Sequence, residues 1–303
     1  LEPDTLLKFL SWPTRAGHVD NKRVCGLLSF CNFPKRLLVT PLGYNVTVIP
    51  ANPARVEKVQ SLSLPVTSEN VDKHAFLFDL DGTLAPIAAT PEQAHVPSET
   101  LNVLARLGKL TGGAIAIVSG RPLAQIDALV QPLLLTGAGL HGAQWRGPDG
   151  VMHELPVDTG AVARMVEALA PLVDRWPGTQ LEHKGLSLAF HYRNAPDREH
   201  DVRIATELAV APHADRFVLQ PGKMVVEIKP RQASKAGAIN RLMGMAPFAG
   251  RVPLFAGDDL TDEAGFQAVK SLGGVTIKIG EGESVADWRF PTPAALAGWL
   301  ALL

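Results

Sequence analysis

The chain has 303 residues, of which 46% are hydrophobic and 19% charged, and its formal net charge is −1. That composition supplies a sizeable core and excludes general disorder; the near-zero charge excludes bulk attraction to nucleic acid or to an acidic membrane as the basis of function. No apolar run is long enough to span a bilayer, and the two cysteines, Cys25 and Cys31, make neither a disulfide framework nor a zinc cluster, so a reducing, cytoplasmic setting is expected.

Residues 1–70 differ from the rest. They are rich in Pro, Asn and Ser and show no sustained period. Leu1 to Val56 carries seven Lys or Arg against three Asp or Glu, and the first methionine is Met152. The expectation is an N-terminal extension outside the folded unit, poorly ordered or the product of an over-extended translation start. The apolar patch Arg23–Phe30 is wrongly placed for a signal peptide.

From Val71 onward short apolar runs alternate with helical segments. Strands are predicted at Ala75–Phe78, Ala114–Val118, Leu133–Thr136, Val252–Ala256 and Val275–Ile279. Helices are predicted at Ser98–Lys109, with Ser98 as N-cap, at Pro122–Val130, with Pro in the first helical position, and at Ala233–Met243 and Asp262–Val269. This alternation predicts a doubly wound, mostly parallel α/β sheet of Rossmann-like type, built from 71–145 and 231–303. The middle breaks the rhythm. Gln180–Tyr192 and Phe217–Ile228 read as strands with Gly turns, beside helical Thr159–Arg175 and Arg198–Val210. An inserted α+β cap over 146–230 is therefore expected.

Polar residues gather where the predicted strands end. Asp79 and Asp81 follow the first strand, in Phe78-Asp79-Leu80-Asp81-Gly82-Thr83-Leu84. Two carboxylates that close repel, and one would stay protonated unless a cation sits between them. A hard divalent ion such as Mg²⁺ takes such oxygen ligands, as does Mn²⁺. Ser119-Gly120-Arg121 follows the second strand, and Gly257-Asp258-Asp259-Leu260-Thr261-Asp262-Glu263 a later one. In open α/β sheets, ligands bind beyond the carboxyl ends of the strands. Lys235 opens the first helix after the insertion and can reach the same rim, with Lys229 a competing candidate.

Taken singly these features have plainer readings. A lone Asp-x-Asp is often a turn or a surface pair, and Gly-Asp-Asp-x-x-Asp can be an acidic helix N-terminus. Glu182, Lys184, Lys223 and Glu227 could be cross-strand ion pairs on an exposed face. His141, His183 and His191 read as structural or lid-surface residues and not as metal ligands, since none has a second histidine at ligand spacing.

Together, in this order, the four segments resemble the motifs of the haloacid dehalogenase phosphohydrolase superfamily. Gly139-Leu140-His141-Gly142, Leu181-Glu182-His183-Lys184, His191-Tyr192-Arg193 and Gly222-Lys223-Met224-Val225-Val226-Glu227, with Gly257–Glu263, are similar to trehalose-6-phosphate phosphatases. The resemblance runs from about Lys73 to the C-terminus. One departure is Gln144, where that family usually has Glu, which removes a charge at the edge of the site.

Such an enzyme would hydrolyse trehalose 6-phosphate, a small-molecule sugar phosphate, as a monomer. Asp79 is the expected nucleophile, since a carboxylate is already ionised and can form an aspartyl-phosphate. Asp81 is the expected general acid and base. Asp79, Asp258 and, by the resemblance, the backbone carbonyl of Asp81 would hold Mg²⁺, with Asp259 and Asp262 orienting it from behind. Ser119 and Lys235 would bind the phosphoryl oxygens. Thr83 and Gly120 would shape the phosphate cradle, and Arg121 would fix the phosphate or the nearby sugar. The resemblance assigns Glu182, Lys184, Arg193, Lys223 and Glu227 to the distal glucose; charged groups bind hydroxyls strongly. Rival readings are another sugar phosphate (sucrose, mannosylglycerate or hexose), a phosphomutase, or a catalytically silent sugar-phosphate sensor.

Overall fold

Five consecutive buried residues, His74–Phe78, form strand β1 of the computed structural model, which describes residues 64–88 and 90–303. Cys25, Cys31, the Arg23–Phe30 patch and nearly all of the basic extension lie outside the described residues. After β1 come α1 (Ser98–Leu110), β2 (Ile115–Val118), α2 (Leu123–Val130), β3 (Thr136–Gly139), β4 (Gln144–Arg146) and β5 (Met152–Glu154). The middle holds α3 (Thr159–Arg175), β6 (Gln180–His183), β7 (Leu188–His191), α4 (Glu199–Val210), β8 (Phe217–Gly222) and β9 (Val225–Pro230). The chain continues through α5 (Lys235–Met243), β10 (Val252–Gly257), α6 (Glu263–Ser271), β11 (Val275–Ile279), β12 (Trp288–Phe290) and α7 (Pro293–Leu300).

The main sheet has the order β12-β11-β10-β1-β2-β3-β4-β5. Pairing is parallel from β12 to β3, and β4 and β5 add an antiparallel edge. Strands covered on both faces are apolar without a break, because successive side chains enter opposite layers. Phe76 and Phe78 join Leu104, Leu107, Ile126 and Leu296 on one side. Ala75 and Leu77 join Ile239, Leu242, Phe266 and Val269 on the other. β1 lies between β10 and β2, with Phe78 in register with both Ala256 and Ile117. The tips after β1, β2 and β10 are therefore neighbours, at the point where the strand order reverses.

A separate antiparallel sheet, β6-β7-β9-β8, is inserted between β5 and α5. One face packs Leu188, Phe190, Phe217, Val226 and Ile228 against Val162, Met165 and Leu169 of α3 and Val202 of α4. Alternation leaves Glu182, His191, Glu227 and Lys229 on the opposite face. The two connections to the main unit, Leu155–Asp158 and Pro230–Gln232, line one cavity of about 150 Å³ and so lie side by side.

Five expectations are corrected. The third strand is Thr136–Gly139, not Leu133–Thr136. Its glycines are low in strand propensity, but a Cβ on Gly137 would meet Ile117 O at 3.2 Å and one on Gly139 would meet Arg121 O at 2.7 Å, so close packing dictates them. Ser98 is already helical and Pro97 occupies the N-cap without a side-chain bond, while Pro122 likewise precedes α2. α5 begins at Lys235 rather than Ala233, since Ser234 Oγ accepts the Gly237 N–H at 3.0 Å and caps it. The expected start of the insertion at 146 moves beyond Glu154. Arg146 belongs to the main sheet, where its guanidinium donates to both oxygens of Asp127 and to Leu135 O. No helix among the described residues is long and apolar enough to cross a membrane.

Candidate active site

At the tip of β1, Asp79 is 4% exposed, and the first residue of α5 reaches it from the side. Lys235 Nζ lies 2.7 Å from Asp79 Oδ1 and 2.6 Å from Asp262 Oδ1. The other Asp262 oxygen accepts the backbone N–H groups of Asp258 (3.0 Å) and Asp259 (2.9 Å), which closes the turn after β10. Lys278, buried on β11, donates to the Asp258 carbonyl. The carboxylates of Asp79, Asp258 and Asp262 lie within 4.8 Å of one another.

Three carboxylates around one ammonium leave excess negative charge. At such separations each like pair repels by about 3–4 kcal/mol at an effective dielectric of 20. Burial pushes the Asp79 carboxyl well above the usual carboxylate range, and Asp262 and Asp258 add to it against the pull of Lys235. Burial likewise pushes Asp258 up to about 6, with Asp262 and Asp259 adding to it and Lys223, 3.4 Å away, opposing. Burial alone would lower Lys235, but Asp262 and Asp79 outweigh it and hold the ammonium charged. An all-oxygen donor set with uncompensated charge fits a hard divalent cation. Asp262, expected behind the ligands, brings its carboxylate into the cluster with both oxygens already engaged.

The Asp81 carboxylate turns away from this cluster. Arg121 grips it with two parallel bonds, Nε to Oδ2 at 2.7 Å and Nη2 to Oδ1 at 2.8 Å. Gly82 makes the tight approach of the two tips feasible. Its φ is +82°, and a Cβ there would sit 2.2 Å from Asp258 Oδ2. Thr83 is fully buried, and its hydroxyl has no hydrogen-bond partner among the described residues. Ser119 is buried too, and its Oγ accepts the Arg121 N–H at 3.2 Å.

The five residues assigned by resemblance to sugar divide into two groups. Glu182, Lys184 and Glu227 converge: Lys184 Nζ is 2.7 Å from Glu227 Oε1 and 3.9 Å from Glu182 Oε2. Lys223 sits instead at the β8–β9 turn and reaches Asp258, while Arg193 is exposed and donates to the Lys223 carbonyl at 3.4 Å. Two histidines complete the first group. His191 Nε2 is 2.9 Å from Glu182, and His141 Nε2, from the main unit, is 2.6 Å from Glu227 Oε2. Burial would raise both glutamates, but their histidine and lysine partners prevail and hold them below the usual range. The sequence carries one sign of a role for His141, its place between Gly139 and Gly142, and none for His191. Gln144 accepts the Leu123 N–H at 3.4 Å and donates to Glu154 at 2.7 Å, so a carboxylate stands one strand away from the missing charge.

Comparison with known proteins shows the family to which the chain belongs. The family model described as trehalose-phosphatase matches residues 77–292. The chain is 42% identical to the trehalose-6-phosphate phosphatase of Escherichia coli (strain K12) over 241 residues, 79% of this chain and 90% of that protein. It is 40% identical to a probable trehalose-phosphate phosphatase of Sinorhizobium fredii over 242 residues, 79% of this chain and 91% of that one. A crystal structure of a trehalose-6-phosphate phosphatase related protein superposes with a TM-score of 0.64 at 27% identity, covering 75% of this chain and 95% of the other. The α/β fold, the carboxylate tips and these matches agree, and the chain is an enzyme that belongs to the trehalose-phosphatase family.

Proposed function

We propose that this chain hydrolyses trehalose 6-phosphate to trehalose and phosphate through an aspartyl-phosphate on Asp79. The observation that carries the reading is the meeting of Asp79, Asp258 and Lys235 at adjoining strand tips, below a second sheet that presents Glu182, Lys184 and Glu227. Asp79 attacks phosphorus, and the departing sugar oxygen takes a proton from Asp81. Asp81 then takes a proton from the water that cleaves the aspartyl-phosphate, and phosphate leaves with Asp79 regenerated. Arg121 pairs with the ionised Asp81 carboxylate, and that pairing opens when Asp81 carries its proton. Lys235 and Ser119 bind phosphoryl oxygens, with the Thr83 hydroxyl and the Gly120 backbone lining the cradle. Asp79, Asp258 and the Asp81 carbonyl would hold Mg²⁺, or Mn²⁺, which would offset the charge between a phosphate dianion and a carboxylate.

The four-stranded unit acts as a cap. Its charged face binds the distal glucose through Glu182, Lys184 and Glu227, with Lys223 and Arg193 at the rim, and its seating excludes water. The small substrate and the cysteine usage favour a cytoplasmic monomer. Phosphate release from trehalose 6-phosphate, sucrose 6-phosphate, mannosylglycerate phosphate and glucose 6-phosphate tests the reading. Equal rates on glucose 6-phosphate would defeat the disaccharide assignment. Full activity of Asp79→Asn would defeat the mechanism, and no turnover of any ester by the native chain would favour the sensor.

A further inference from the structure

His141 stands where three parts of the molecule meet. The Leu140 N–H donates to Arg121 O at 2.9 Å and the His141 N–H to Ser119 O at 3.0 Å, which ties this turn to the Ser119–Arg121 loop. The imidazole lies on Gly120, where a Cβ would sit 2.7 Å from Nε2. Gly142 presses on the start of α5, where a Cβ would be 2.9 Å from Ser234 O, beside Lys235. Leu140 and His141 have φ of 50° and 55°, and successive non-glycine residues in the left-handed region persist only where their surroundings hold them. From this seat Nε2 crosses to the second sheet and meets Glu227, whose other oxygen takes Lys184.

The direction of the contact follows from chemistry. Glu227 is held ionised and can only accept, so Nε2 carries the hydrogen. Burial, with Lys235 and Lys229 nearby, pushes the imidazole below its ordinary value against the pull of Glu227, which favours the neutral ring. Nδ1 is then an acceptor, and it is buried with no partner among the described residues. Packing alone would need only the volume of the ring. An N–H aimed at the cap's carboxylate from a turn fastened to the Ser119–Arg121 loop does more.

We propose that His141 is a positioning residue that fixes Glu227 relative to the phosphate cradle when the second sheet is seated, so that sugar recognition and phosphate placement are coupled through one hydrogen bond. This role rests on Glu227 being a sugar ligand. His141 itself need not touch the reacting atoms. Asparagine tolerates the left-handed backbone but is too short to reach Glu227, whereas glutamine can present an N–H near the position of Nε2.

The test compares native enzyme, His141→Asn, His141→Gln, His141→Ala, Glu227→Ala and the His141→Ala/Glu227→Ala double variant. Each is assayed on trehalose 6-phosphate and on p-nitrophenyl phosphate, which has no sugar, with thermal unfolding as the folding control. His141→Asn should lower kcat/KM on the sugar phosphate by about tenfold or more, with a fall at least about fivefold smaller on the aryl ester, and His141→Gln should recover most of the loss. The double variant should be no worse than Glu227→Ala within about twofold, as expected for two residues acting through one contact. Losses that multiply in the double variant, or equal losses on both esters, would overturn the role. Should His141→Ala not fold, the cycle is run with His141→Asn. A native enzyme inactive on trehalose 6-phosphate would sink the substrate assignment alone; the cycle, run on whichever sugar phosphate it prefers, still decides the coupling.

Discussion

Lys235 Nζ sits 2.7 Å from Asp79 Oδ1 with both side chains almost fully buried, so the proposed nucleophile and its neighbouring cation form an ion pair outside the reach of bulk water. Removing one partner of such a pair leaves an uncompensated charge, typically at a cost of about 3–5 kcal/mol. Lys235→Ala should therefore lower unfolding stability in urea and also cut turnover by roughly two to three orders of magnitude. Lys235→Arg should rescue neither, because a planar guanidinium does not fit a seat shaped for a compact ammonium.

Asp79→Asn separates chemistry from folding. It removes one of three mutually repelling carboxylates while Asp262 still holds Lys235. Turnover should fall by at least about a thousandfold, as expected when a covalent nucleophile is lost, while the unfolding midpoint stays within a few degrees of the native one. A large drop in the midpoint would mean that Asp79 serves the fold before it serves the reaction.

The acidic cluster should reveal a cation without any assay of activity. Millimolar Mg²⁺ should raise the melting temperature of chelator-treated protein, because a ligand that binds only the folded state stabilises it by mass action. Asp258→Asn should abolish that rise. An unchanged rise would move the ion elsewhere.

Gly82→Ala tests how closely the two strand tips approach. The added methyl would collide with the Asp258 carboxylate, and the backbone would be held at φ +82°. A loss of about 1–3 kcal/mol of stability is expected from the conformation alone, together with loss of the Mg²⁺-dependent rise. Native behaviour in both would show that the tips are further apart than described.

Acid should weaken the joint between the two sheets. Glu227 is held below its usual value of 4.5, so its contribution is present above about that pH and is lost as pH falls towards the folded value. His141, held below its usual 6.5, acts in the same sense, because the unfolded chain takes up the extra proton first. The stability difference between native enzyme and Glu227→Gln, read from urea unfolding, should shrink as pH falls from 6 to 3. A difference that grows on acidification would reverse the assignment.

The main sheet was legible because strands buried on both faces leave unbroken apolar runs, as in Ala75–Phe78 and Val252–Ala256. The gathering of Asp79, Ser119 and Asp258 followed from parallel pairing alone. The third strand was not legible, because its Gly-Ala-Gly core answers to the backbone of a neighbour and not to hydrophobic pattern. The short β4, β5, β12 and α7 were too brief or too weakly periodic to predict. The resemblance groups Lys223 with Glu227, but Lys223 stands in the β8–β9 turn and pairs with Asp258, a contact that strand spacing does not reveal. His141 escaped because its meaning lies in a partner 86 residues away.

The inserted four-stranded unit is hung on a single post: both of its tethers leave the main unit side by side around one small cavity. Because the insertion pairs with no strand of the main sheet, an exchange of the segment between Glu154 and Arg231 should leave the pairing of that sheet in place. The constraint on such grafts is the far tether, where only Arg231, Gln232, Ala233 and Ser234 separate β9 from Lys235. Lengthening it would slacken the lysine's own helix cap, so changes are better borne in the interior of the insertion than at its seams.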